Sequence, residues 1–368
     1  MPRRSTATIL AAALLVGSSA AAIAQGETAP APMWGAATKQ DARDVVAYSG
    51  GYALVGGKDK KPEGKVWLSA DGSSWQRVPE AKAFEGAVIR RASDFEDGVV
   101  ALGTKGRKLL GWYSPDGQSW QKTTIDTVDK NVELFPDAVT DGPAGLIAVA
   151  SIVTQDLIGQ RFYASVDGRE WSQIEPPSDT ANGVYVSLEA TDEEYIAVGR
   201  PLFGPAEGLH WRTPDGITWE PFDGPEDGEL TDLAIGADGS FVAVGRHQTT
   251  LVPRIWRADE LGDWELVYEA PSDKVTEERL ELVAAAGPGF IAGGITSACP
   301  GQAGRSCPVM SLLASEDGRE WSPLGIEDGV PGPLHDTQPW AAATDGTSTT
   351  LLAWHDDRPT EVWTIPAR

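Results

Sequence analysis

The chain has little of what most catalytic and membrane chemistry needs. Its 368 residues include two cysteines and four histidines, His210, His247, His335 and His355. None of the histidines stands at metal-ligand spacing from another, and neither an H-E-x-x-H nor a C-x-x-C string occurs. A zinc hydrolase or a dithiol redox site is therefore excluded. No helical periodicity is evident and no glycine-rich loop leads from a strand into a helix, so a phosphate cradle is absent too. Basic residues are outnumbered 30 to 54, a formal charge of −24. Such a chain repels phosphate backbones and is poorly attracted to anionic lipid, which argues against nucleic-acid or membrane-surface partners. Long apolar runs are missing: the run Ile9 to Val16 falls short of the roughly 18 residues that a membrane span requires.

That short run does fit an export signal. Arg3 and Arg4 precede it, and Ala22-Ile23-Ala24 supplies a small-x-small cleavage site. The expected organisation is a signal peptide over 1–24, a Pro/Ala linker over 25–32 and one domain over 33–368, secreted after cleavage near Ala24. Cys299 and Cys307 then read as one local disulfide, worth about 2.5 kcal/mol on the chain-entropy view. The acidity reads as solubility, with surface calcium sites as the alternative; no other cofactor is expected.

What the chain has in abundance is a repeated phrase, Ser/Thr-x-Asp-Gly-x-x-Trp. Its good copies carry Asp71 with Trp75, Asp116 with Trp120, Asp167 with Trp171, Asp215 with Trp219 and Asp317 with Trp321. A worn copy runs from Ala258 to Trp264. Asp-Gly supplies the side-chain acceptor and the positive-φ residue of a tight hairpin, and Trp offers a large apolar plate for packing. These aspartates and tryptophans are therefore expected to be structural. Before each copy stands a short buried-looking run, such as Tyr52-Ala-Leu-Val, Leu146-Ile-Ala-Val or Phe241-Val-Ala-Val. The β-branched and aromatic content of these runs favours strand over helix. Repeats of 45 to 57 residues imply an array of small sheets, each covering its neighbour.

Seven such runs occur but only six phrases, and the chain ends on Glu361-Val-Trp363, a third strand without its partner. The segment around Trp34 can supply that partner, joining both termini in one sheet and removing two open edges. The prediction is an all-β protein: a seven-bladed β-propeller of four-stranded antiparallel blades, its ring closed by the Trp34 strand against the Trp363 strand.

The phrase resembles the Asp-box, or bacterial neuraminidase repeat, of the sialidase-like β-propeller superfamily, with Asp and Gly adjacent rather than separated by one residue. That resemblance implies the propeller fold and turns gathered on one face, with ligands meeting the opposite face. It does not carry over catalysis. The arginine motif Phe/Tyr-Arg-Ile/Leu-Pro is missing, since Val88-Ile-Arg90-Arg91 and Pro253-Arg254-Ile255 depart from it. A census of the position two past each apolar run gives Gly57, Thr104, Ser151, Arg200, Arg246, Ile295 and His355. Arg200 and Arg246 end equivalent Val-Gly-Arg strings in adjacent units. They read either as ion-pair partners of nearby acids or as a forked grip on a carboxylate, sulfate or sugar acid. His355 is the third candidate ligand contact. The function expected is a secreted, monomeric binding module for a glycan, an envelope component or a protein, with no catalytic residue assigned. The alternative is a glycoside hydrolase with an unrecognised carboxylate pair on the face opposite the turns.

Overall fold

The computed structural model describes residues 38–79, 81–155, 157–177, 183–201, 208–271, 279–287, 289–298, 306–325, 330, 337–355 and 359–366. Its strands form seven four-stranded antiparallel sheets, each built from consecutive strands except the last. This is the seven-bladed β-propeller expected. In the seventh sheet the order runs from Thr38–Gln40 to Thr360–Pro366, then Ser348–Trp354 and Gln338–Thr344. The N-terminal strand thus supplies the outer strand of the last blade, with Thr38 opposite Val362 and Gln40 opposite Thr360. Trp34 itself lies outside the described residues, as do the expected signal segment and linker and Cys299, one half of the expected disulfide.

The second strand of each blade is buried on both faces. Ala53, Leu54 and Val55 have no accessible surface, and neither do Ile196, Ala197 and Val198. The side chains two positions before the turn phrase pack at one register, Trp67 opposite Leu54, Trp112 opposite Ala101 and Trp211 opposite Ala197, and in the last blade, which lacks the phrase, Trp363 takes the equivalent place opposite Leu351. Among the described residues the apolar side chains gather into seven clusters, each spanning two neighbouring blades. No blade buries itself, so the ring is stabilised by contacts between blades. The closing contact joins Tyr52, Leu54 and Trp67 to Leu352 and Val362. It is reinforced where the Tyr52 hydroxyl donates to the Ser348 carbonyl at 2.6 Å and the Thr360 hydroxyl to the Ala42 carbonyl at 2.9 Å.

The repeated phrase forms a self-bonded turn. Asp71 Oδ1 accepts the backbone N–H groups of Ser73 and Ser74 at 2.9 and 3.1 Å. Gly72 sits at φ 72°, the left-handed region that favours glycine. Asp116, Asp167, Asp215 and Asp317 accept in the same pattern. These N–H donors hold the carboxyls below the usual range, Asp71 down to about 2.

The tryptophans close the turns with their ring N–H as well as with packing. Trp75 donates to the Gly72 carbonyl at 2.9 Å, Trp120 to Gly117 at 2.8 Å, Trp171 to Gly168 at 3.2 Å and Trp321 to Gly318 at 3.0 Å. Trp219 departs from this pattern: its buried indole N–H finds no acceptor among the described residues, and its ring instead meets Phe162 edge-on at 5.7 Å. As packing plates these rings are less enclosed than the sequence reading expects. Trp120 is buried, whereas Trp75, Trp171, Trp219 and Trp321 are half-buried and lie against the margins of their clusters. Each ring opens the outer strand of its blade, which turns one side to solvent, so it covers the core edge without entering it. A further departure, from the strand-only expectation, is a helical turn at Ala81–Phe84, which seats Phe84 against Trp112 and Trp120.

Candidate functional site

The seven inner strands, Ala42–Tyr48, Val88–Phe95, Glu133–Gly142, Gly183–Ala190, Gly228–Ile235, Arg279–Ala286 and Gln338–Thr344, surround the ring axis. Each carries one β-bulge at the same height, which leaves one residue out of register with the second strand. The extra residues are Arg43, Arg90, Asp137, Val186, Thr231, Glu281 and Trp340. A bulge bends its strand and re-aims side chains, and seven in a ring shape an axial opening. The sequence carries a trace of this in the glycines that end several second strands. A Cβ on Gly56, Gly103, Gly199, Gly245 or Gly294 would lie between 1.7 and 2.4 Å from a carbonyl oxygen of an inner strand or, for Gly56, of Asp41 just before one. Only glycine allows that approach, so Val-Gly-Arg is first a packing signal.

Below the opening lies a cavity of about 550 Å³ to which all seven inner strands contribute. Strand register fixes which end is open. Tyr195, at the start of its strand, pairs with Thr213 of the turn phrase, whereas Arg200, near the other end, pairs with Val184. Arg200 and Arg246 therefore stand on the face opposite the turns, and both line the cavity.

The two arginines converge on one carboxylate. Glu229, whose side chain is only 7% exposed, receives Arg246 as a fork: Nε to Oε2 at 3.1 Å and Nη2 to Oε1 at 3.0 Å. Arg200 Nη1 stands 3.9 Å from Oε1 of the same group and keeps 48% of its side-chain surface in solvent. The arginines thus form ion pairs with one shared acid, while the outer guanidinium stays open to an incoming anion. Arg279, paired with Glu281 at 3.3 Å, adds a third exposed cation at this rim. Trp340 lines the cavity as well; its indole donates to the Arg43 carbonyl at 2.7 Å and its ring packs on Trp354 at 5.6 Å.

Further in, most acids already have protein donors. Asp44 accepts the N–H groups of Val45 and Ala92, and Asp137 accepts from Ser151 and Gln160. Asp232 accepts the Val283 N–H at 2.9 Å. Burial nevertheless pushes all three carboxyls up, Asp232 to about 6. Glu189 goes furthest, to about 8, because burial and then the charges of Asp232 and Asp94 oppose its ionisation. Sequence reading missed these groups, because nothing in Leu188-Glu189-Ala190 distinguishes an axial acid from a solvated one.

His355 does not join this site. Its side chain is 3% exposed, with Nδ1 3.2 Å from the Thr337 hydroxyl and Nε2 3.6 Å from Glu361. The turn-phrase residues, from Asp71 and Trp75 to Asp317 and Trp321, lie at the other end of the blades and contribute nothing to the cavity lining. Among the described residues no group of three or more His, Cys, Asp or Glu is arranged to hold a metal ion. Nor is any described helix long and apolar enough to cross a membrane.

No protein-family model matches this chain, and no curated protein matches it by sequence. Solved structures do match. One is YCF48 bound to a D1 peptide, with 15% identity, a TM-score of 0.57 and coverage of 93% of this chain and 100% of that one. Raptor of Chaetomium thermophilum gives 8% identity and a TM-score of 0.52, over 92% of this chain and 30% of its own. The Dos1 propeller gives 11% and 0.50, over 88% and 77%. At such identities these likenesses show the propeller fold alone.

Proposed function

We propose that this chain is an exported propeller of the sialidase-like, Asp-box kind that works as a binding module. Its ligand, a glycan, an envelope component or a protein, presents an anionic group to the axial opening. The observation that carries this reading is the arginine pair on Glu229. The buried carboxylate fixes Arg246, and Arg246 with Glu229 leaves Arg200 half exposed at the mouth of a cavity. A preorganised guanidinium beside a concave opening suits forked recognition of a carboxylate or sulfate. Exposed apolar side chains on the same face, Leu251 and Trp340, add contact area of the kind interfaces use. That YCF48, a propeller too, holds a D1 peptide supports a protein ligand among the candidates. The charged run at the N-terminus and the small-x-small site at Ala24 support export.

The test is equilibrium binding of a panel of free uronic and sialic acids and of carboxylate-ended peptides. At least one should bind the wild type, and Arg200→Ala should weaken it about tenfold, the loss of one charge-assisted contact. Unchanged binding in that variant rejects the site. A second reading, hydrolysis, is favoured by Glu189 alone, a carboxyl still protonated near neutrality inside the cavity. Turnover of an aryl glycoside that disappears in Glu189→Gln would establish it in place of the binding-only view.

A further inference from the structure

The acidity of the chain is not spread evenly. On the face of the axial opening, the loop between second and third strands of blade one reads Lys58-Asp59-Lys60-Lys61-Pro62-Glu63, followed by Lys65. The corresponding loop of blade two reads Lys105-Gly106-Arg107-Lys108. The two loops are joined: Glu63 bridges Glu85, whose carbonyl accepts the Lys105 ammonium at 2.8 Å.

Three acids beside these loops are matched, two of them more than once, whereas the exposed Glu85 makes no ion pair among the described residues. Asp59 is held by both Arg43 and Arg90, Asp41 by Lys65 at 2.6 Å and Lys58 at 3.6 Å, and Glu63 by Arg77 at 2.7 Å. Among the described residues no carboxylate lies within ion-pair distance of Lys60, Lys61, Lys105, Arg107 or Lys108, and all five are exposed. Elsewhere the balance is reversed. Arg257 stands between Asp238 and Asp259, and Arg319 between Asp259 and Glu265. A chain of net charge −24 thus keeps five unmatched cations together on two adjacent loops.

We propose that these loops form a docking surface for an acidic polypeptide segment, a contact additional to the axial opening. Two observations choose a polypeptide over other anions. The equivalent turn of blade three, next around the ring, exposes Leu157 at 59% and Ile158 at 41%. An aliphatic step beside a row of ammonium groups fits a chain that carries both carboxylates and apolar side chains, and a polysaccharide gains nothing from it. Charge range is the second. Screening over about 8 Å lets a short peptide respond to the local cations alone, whereas a lipid surface or a duplex also meets the surrounding acids.

The experiment uses the whole chain and a dye-labelled peptide of about a dozen residues, mostly glutamate and ending in two leucines, with its glutamine counterpart as control. The glutamate peptide should bind at low ionic strength, weaken as salt rises and bind about tenfold more tightly than the control. Lys60→Glu, Lys61→Glu and Lys108→Glu together should weaken it about tenfold with no change in thermal midpoint, because these side chains make no ion pair that folding needs. Arg200→Ala should leave it unchanged, which separates this surface from the axial one. Equal binding of both peptides overturns the proposal, as does a triple variant that binds normally. Loss of binding in Arg200→Ala alone transfers the contact to the opening. Vesicles of phosphatidylserine that bind through the same lysines while the peptide does not would make the surface a lipid site instead.

Discussion

Replacing Glu189 by glutamine should change how stability depends on pH, and the direction follows from where the carboxyl sits. Its folded-state pKa is about 8 against an ordinary 4.5. Between those values the unfolded chain ionises this group and the folded chain does not. The folded state therefore binds more protons, and stability falls as pH rises through that window. Each pKa unit corresponds to about 1.4 kcal/mol, so a dry site would lose roughly 5 kcal/mol by pH 8. Glu189 borders the axial cavity, where water screens the penalty, and about 2 kcal/mol is the magnitude we expect. Glutamine has the same shape and no charge to desolvate. Near pH 4.5 the two proteins should melt together. Near pH 8 the variant should melt several degrees higher, at about 2 °C per kcal/mol for a chain of this size. Asp232 and Asp94 add pH dependence of their own, but both proteins contain them and the difference isolates Glu189. Melting curves whose midpoints track in parallel from pH 4.5 to 8 would refute the placement of this carboxyl in the axial core.

Other positions give independent checks. Arg246→Ala leaves the Glu229 carboxylate buried with only the distant Arg200 for company, and thermal melting should show a loss of about 2 kcal/mol. Gly245→Ala puts a Cβ 2.0 Å from the Glu229 carbonyl oxygen, and the bulge has no slack; we expect a loss of 2 kcal/mol or more, roughly, by the same assay. Trp363→Ala removes a fully buried ring from the closing blade at a cost of about 3–5 kcal/mol, and exposed termini should show it by faster proteolysis. His210 is buried beside Phe222, and burial lowers its pKa to about 4. The folded state there resists protonation that the unfolded chain accepts, so stability should fall as pH drops from 6.5 toward 4, and His210→Phe should flatten that decline.

How far these features could be read beforehand depends on whether their cause is local. The turn phrase is local: Asp71, Gly72 and Trp75 bond one another, so seven letters suffice to announce it. What the letters do not announce is how each ring is finished by its neighbours. Trp171 and Trp321 keep the bond to the turn glycine, yet Trp219 trades it for the edge of Phe162 in the preceding blade. Ring closure is nearly local, because a strand without a partner at Trp363 and a spare one at the N-terminus are countable along the chain. The bulges are not local. They arise where an inner strand meets its neighbour, and their only trace is a glycine such as Gly199 or Gly245, read at first as part of a string ending in arginine. Arg200 and Arg246 share one height on the open face because their strands keep the common register, which counting can follow. The same count put His355 in that set, but the register of the last blade is one residue earlier than its apolar run suggests: Trp354, opposite Gln338, holds the place that Arg200 holds opposite Val184, and His355 falls one position beyond it with its ring against Thr337 and Glu361. The cationic loops were hidden for a different reason. Net charge is an average over a surface, and an average of −24 says nothing about five lysines and arginines that the fold sets side by side. Partner chemistry follows the local field within a Debye length, so the two loops, and not the total, determine what this face attracts.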